Sequence, residues 1–171
     1  MAGNSITDTR KDRLRFTKNK LAANLILCSI AVNALYFVSI YRSDVGSYYY
    51  KIFIGFSILY NLVFMLVAFL ASEGVKNYKI GYAYTSIVLG ALQVGRIFYL
   101  PAQAHSAPNP VVSAETETVM ADDQFGYVAV CLIISALLLV GAGVIGILKT
   151  KTLRSYEAEL EKNSLEETSD E

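Results

Sequence analysis

The sequence predicts an all-α membrane protein, a bundle of four transmembrane helices, and three observations carry that reading. Apolar residues make up 54% of the 171-residue chain, against 18% charged. Four uninterrupted stretches, residues 21–41, 52–72, 80–100 and 127–148, hold half the chain but only one of its 30 charged residues, Arg96. Each stretch is 21 or 22 residues long, and a rise of about 1.5 Å per residue carries 20 residues across a hydrocarbon core of roughly 30 Å. A soluble domain spreads its charges, because every surface element has a wet face. Segregation on this scale excludes a water-soluble core, a coiled coil and a disordered chain. With a net charge of zero, no nucleic-acid partner is expected; the partner the composition demands is the lipid bilayer.

The stretches are helices and not barrel strands. A spanning barrel reads as short segments of alternating polarity, whereas Leu132-Ile133-Ile134 and Leu137-Leu138-Leu139-Val140 are continuously apolar. The first stretch follows a basic run (Arg10, Lys11, Arg13, Arg15, Lys18, Lys20) that resembles the start of a signal peptide. Its apolar part is too long for one, and no small-residue cleavage site ends it before Tyr41-Arg42-Ser43. It is read as a helix. The domain organisation is thus a basic N-tail over 1–20, a transmembrane unit over 21–148 with a loop at 101–126, and a tail over 149–171.

Lysine and arginine near the helix ends set the direction. Twelve lie on the side shared by the N-tail, the second loop (Lys76, Lys79) and the C-tail (Lys149, Lys151, Arg154, Lys162), against Arg42 and Lys51 on the other. Both termini are therefore expected in the cytoplasm. The absence of an Asn-x-Ser/Thr sequon and of cysteines in the outer loops points toward a bacterial plasma membrane. The basic N-tail interleaves Leu14, Phe16 and Leu21, a pattern suited to anionic lipid headgroups as well as to topology.

The 26-residue outer loop is long for a helix connection. Pro108-Asn109-Pro110 enforces a turn, and the β-branched run over 111–120 allows a small hairpin above the bundle. Asp122 and Asp123 read as the N-cap of the fourth helix, complementing its dipole; a calcium site there would need more oxygen ligands than this pair supplies. Past Leu148, strong helix formers carry Leu153, Tyr156 and Leu160 on one face. The fourth helix is expected to continue to about Lys162, followed by a disordered acidic tail over 166–171.

The polar residues inside the spans bear most on mechanism. Asn33, Asn61, Gln93 and Ser135 stand 11 to 13 residues from the cytoplasmic ends of their spans, which places them within roughly 3 Å of one another in depth. Side-chain amides in hydrocarbon need partners, so such a layer either fixes the register of the bundle or forms a small-solute or ion site near the midplane. Arg96, the one intramembrane charge, lies about 6 Å below the outer end. It is positioned to snorkel, to pair with Asp44, Asp122 or Asp123 at the outer mouth, or to serve transport. Small residues at four-residue spacing (Ser86 with Gly90, Ala91 with Gly95, Ala142 with Gly146, near Gly141) mark expected close approaches of helices three and four to each other or to a partner.

Cys28 and Cys131 fall near opposite membrane faces and are read as small packing residues. His105 has no second histidine or cysteine near it for zinc. No phosphate-binding, dinucleotide or nucleophile-elbow motif occurs, and no acid lies inside a span. The expectation is a non-enzymatic protein without cofactor or metal. It would be an accessory or interaction subunit bound to a larger membrane protein, or else a small self-associating channel or transporter built on the polar layer.

Overall fold

The computed structural model describes Arg13 and residues 16–41, 53–106 and 120–169. These form α1 (Lys20–Tyr41), α2 (Phe53–Lys76), α3 (Ile80–Tyr99), the short α4 (Pro101–Ser106) and α5 (Asp122–Ser169), with no strand among the described residues. Four helical segments are long and apolar enough to cross a membrane, the third of them running through α3 and α4. The hairpin expected over 111–120 lies outside the described residues except for Met120, which is fully buried.

Three boundaries differ from the sequence reading. First, α2 continues past residue 72 to Lys76 and then closes in a tight cap. The Lys79 amide donates to the Gly74 carbonyl at 3.0 Å and the Tyr78 amide to Val75 at 3.1 Å, with Tyr78 at φ 56°. This is the paired-bond helix ending that usually recruits glycine at the left-handed position. Second, α5 starts one residue earlier than a cap at Asp122 implies. The Phe125 amide bonds the Ala121 carbonyl at 2.9 Å, so both aspartates sit in the first turn, where they still complement the dipole. Third, α5 does not stop near Lys162 but runs to Ser169. No proline or glycine follows Gly146, and Leu, Glu and Lys propagate a helix already nucleated. Its 48 residues make a rod about 70 Å long, more than twice a hydrocarbon core.

The helices pack as a ring. α3 lies most extensively on α5 and α1 on α5, with α1–α2 and α2–α3 completing the circuit; α2 is the least integrated. The ring is tied at one end, where the Asn19 amide donates to the Lys76 carbonyl at 3.0 Å and Lys149 Nζ to Asn19 Oδ1 at 3.2 Å. The start of α1, the end of α2 and the exit of α5 therefore share that end.

Two apolar clusters fill the interior. One gathers Tyr36, Ile40, Leu100, Ala104, Met120 and Leu132 toward the α4 end; the other gathers Ile26, Phe64, Ala68, Val75, Leu89 and Leu139 toward the tied end. On the perimeter Leu35, Leu62, Leu66 and Leu137 are each more than half exposed. Water would penalise such an apolar girdle, and lipid does not.

Only part of the small-residue pattern makes helix contacts. A Cβ at Gly90 would press on the Ala136 carbonyl and Val140, and one at Gly146 on Ala83 and Val75. Ala142 is fully buried, and Ser86 Oγ donates to the Leu139 carbonyl at 2.7 Å. Gly95 and Gly141 have open space where a Cβ would sit, and Ala91 is exposed. Spacing alone does not separate these cases. At 3.6 residues per turn, Ser86, Gly90 and Gln93 share the inner face of α3, and Ala91 lies about 100° away from Gly90.

Candidate functional site

Between the two apolar clusters the four spanning helices meet in a hydrogen-bonded layer. Asn33 on α1 is its hub. Its Nδ2 donates to Asn61 Oδ1 of α2 at 3.3 Å, and its Oδ1 accepts from Gln93 Nε2 of α3 and from Arg96 Nη1, each at 3.1 Å. Gln93 Nε2 also donates to Ser135 Oγ of α5 at 3.0 Å. Ser135 Oγ in turn meets Ser29 Oγ of α1 at 2.8 Å, and Ser29 Oγ reaches the Ser135 carbonyl at 3.2 Å. Asn61 Nδ2 closes the far side on the Ser57 carbonyl one turn back, at 3.0 Å. Asn33, Gln93, Ser29 and Ser135 are inaccessible to solvent and Asn61 is 1% exposed. The four residues singled out by depth in the sequence are thus brought into one connected network.

The amide orientations follow from the partners. Rotating the Gln93 amide would set its oxygen against Asn33 Oδ1, two acceptors face to face. In the observed orientation Gln93 Oε1 is buried without a hydrogen bond among the described residues, a cost of about 1–3 kcal/mol that its two donated bonds must offset.

Arg96 joins this layer instead of reaching straight for the helix end. It is 7% exposed, its Cζ lies 4.3 Å from the Tyr36 ring centroid and 4.9 Å from that of Tyr60, and Nη1 bonds Asn33. The Cα–Cβ bond of a helical residue tilts toward the N-terminus, so residue 96 overlies the turn containing Gln93. Two aromatic faces and an amide oxygen then solvate the guanidinium. Of the three aspartates considered for Arg96, Asp44 lies outside the described residues. Asp122 is almost fully exposed and has its Oδ1 3.7 Å from His105 Nε2, and Asp123 is exposed. His105 itself stacks on Phe125 at 4.7 Å between centroids, and its Nδ1 lies 3.3 Å from the Met120 carbonyl oxygen. This fastens α4 to the head of α5. Cys28 is exposed, Cys131 is buried, and neither is in a disulfide.

Beside Arg96 a cavity of about 400 Å³ opens between α2 and α3. Tyr60, Leu92, Tyr99 and Leu100 line it together with Ser57 and Arg96, its wall is almost wholly apolar, and a Cβ at Gly95 would meet nothing within 4 Å.

Sequence reasoning missed Ser29, Tyr36 and Tyr60. Ser29 and Tyr36 stand four residues before and three after Asn33, the spacing of one helix face, so extending the Asn33 stripe would have found them. Asn19 was missed because it precedes the apolar stretch. The chain matches no family model, no curated protein and no solved structure.

Proposed function

We propose that this protein is a non-catalytic, multi-pass subunit of a larger complex in a bacterial plasma membrane, with both termini in the cytoplasm. The observation that carries this reading is that the intramembrane polar layer is spent on itself. Asn33, Asn61, Gln93 and Ser135 bond one another across all four helices, as groups do when their task is to hold a register and not to pass a solute. The close contacts at Gly90 and Gly146 support a stiff bundle. The α5 extension supports a docking arm: its residues beyond Thr150 reach about 30 Å past the tied end. They place Tyr156 and Leu160, both half-buried, on one stripe with Leu153, which is already buried, amid Lys151, Arg154, Glu157 and Glu161. The basic N-tail would hold the same face against anionic headgroups.

Mild-detergent extraction with affinity capture tests the proposal. The expected result is stoichiometric recovery of one defined larger membrane protein, lost when the chain is ended at Arg154. A homo-oligomer recovered alone, whose liposomes pass a solute and lose that passage on Asn61→Leu, would replace this reading with a channel or transporter. Orientation is checked separately. With Cys28 and Cys131 changed to serine, a cysteine at position 112 should react with an impermeant maleimide in intact cells, and one at position 163 should not.

A further inference from the structure

Charge outside the apolar stretches is divided between the two ends of the chain. Residues 1–18 hold five basic side chains, Arg10, Lys11, Arg13, Arg15 and Lys18, against Asp8 and Asp12. Residues 155–171 hold seven acids against the single Lys162. The fold brings these ends together, because Asn19 Oδ1, just before α1, accepts from Lys149 Nζ of α5 at 3.2 Å. At about 100° per residue Lys149, Leu153, Tyr156 and Leu160 share one face of α5. The residue leading into α1 is thus held on the face that carries the apolar stripe. Glu157 and Glu159, both exposed, flank that stripe on its two sides, and Lys151 and Lys162 fall on the opposite face. Tyr156 and Leu160 are half-buried although they stand beyond the apolar segment, whereas Leu165, on another side of the same helix, is 65% exposed. Ahead of Asn19, Arg13 and Phe16 are helical, and Thr17 Oγ1 donates to the Arg13 carbonyl at 2.9 Å.

We propose that the basic N-tail of this chain lies antiparallel along the α5 stripe and closes an intramolecular clasp beyond the tied end. The direction follows from the tie: α1 starts where α5 leaves the bundle, so the chain entering α1 runs against the arm. The length suffices. Lys149 to Leu160 is about 17 Å of helix, and residues 10–18 reach about 14 Å as helix and more where they bend. The charge pattern selects the occupant. An apolar stripe edged by glutamates takes a helix face on which a leucine is edged by cations, and Leu14 with Lys11 and Arg15, one turn apart, is such a face. A second copy of the arm would set glutamate against glutamate. Tethering at Asn19 also gives the N-tail an effective concentration that a free partner lacks. The clasp goes beyond the subunit reading: it concerns the chain alone, and a partner taking the arm would first displace the N-tail.

Purified full-length protein in mild detergent tests the clasp. With Cys28 and Cys131 changed to serine, Leu14→Cys is paired with Tyr156→Cys on the stripe or with Ala158→Cys on the opposite face. Under mild oxidation the first pair should form an intramolecular disulfide about tenfold faster than the second. Glu157→Arg with Glu159→Arg should slow the first pair about fivefold, and adding Lys11→Glu with Arg15→Glu should restore it. The unaltered protein supplies a second measurement, independent of these variants. A carbodiimide should join Lys11 or Lys18 to Glu157 or Glu159 within one chain, and about 1 M salt, which cuts the screening length to about 3 Å, should suppress the joining. Equal rates on the two faces, or indifference to charge reversal, would overturn the clasp. So would a disulfide formed only between chains, which would give the stripe to a second copy. Loss of the intramolecular disulfide in phosphatidylglycerol vesicles would overturn it too, by giving the N-tail to the headgroups. None of these outcomes bears on recovery of a larger membrane protein, so the clasp and the subunit reading fail separately.

Discussion

At the scale of single residues, Asn33 concentrates the bundle's polar bonding. One amide bonds to α2 and twice to α3, and one of those bonds is to a cation. Removing it leaves Gln93, Arg96 and Asn61 short of a partner together, whereas removing Gln93 also relieves an acceptor that has no hydrogen bond among the described residues. The expected outcome is a clear asymmetry. Asn33→Leu should lower stability by about 3 kcal/mol, and Gln93→Met, of similar volume, by about 1 kcal/mol. Both are read from unfolding by sodium dodecyl sulfate in mixed micelles. Near-equal losses would mean that the layer is not organised around Asn33.

At the scale of elements, two helices carry conformational choices that a substitution can reverse. Tyr78 ends α2 in the left-handed region at φ 56°, with the two capping bonds formed around it. A side chain in that conformation costs about 1–2 kcal/mol relative to glycine. Part of this returns through the greater entropy of glycine in the unfolded chain, so Tyr78→Gly should stabilise the protein by about 0.5–1 kcal/mol, seen as a raised thermal midpoint in detergent. On α5 the glycines separate by face. A Cβ at Gly143 would stand 2.8 Å from the Ala83 carbonyl oxygen and against Ile87, while one at Gly141 would meet nothing within 4 Å. Gly143→Ala should therefore cost about 1–3 kcal/mol by forcing α3 and α5 apart. Gly141→Ala should be neutral or stabilise by up to about 1 kcal/mol. Parallel thermal scans of the two variants check both.

At the scale of the whole molecule, the ring is tied at one end by backbone and amide bonds through Asn19 and fastened at the other by α4 and His105. The extension of α5 continues from the buried Leu153, and its described residues over 154–162 are mostly exposed. Ending the chain at Arg154 should leave the detergent thermal midpoint within about 3 °C, as expected when exposed helix is removed from a packed unit. Asn19→Ala should lower it, because it removes the acceptor of Lys149 at a cost of about 1 kcal/mol. A large loss on truncation would show that the arm is part of the bundle's own core.

Helices long and apolar enough to span a membrane were legible in the chain because hydrocarbon imposes a harsh rule: about 20 residues must cross with few charges and with every backbone bond closed. The depth of Asn33, Asn61, Gln93 and Ser135 was legible for a related reason, since rise per residue is fixed once a helix is established. Azimuth was not. Whether Gly95 or Gly90 touches a neighbour, and whether Arg96 turns to headgroups or back onto Asn33, depends on which face each helix presents. The apolar pattern in lipid does not encode this, because inward and outward faces are equally greasy. Helix ends were blurred where capping came from backbone geometry, as at Tyr78, or where helix-forming residues carried α5 beyond its apolar segment to Ser169. Composition marked four helices long and apolar enough to cross a membrane; the packing of those helices decided which polar atoms meet and where a cavity remains beside the buried Arg96.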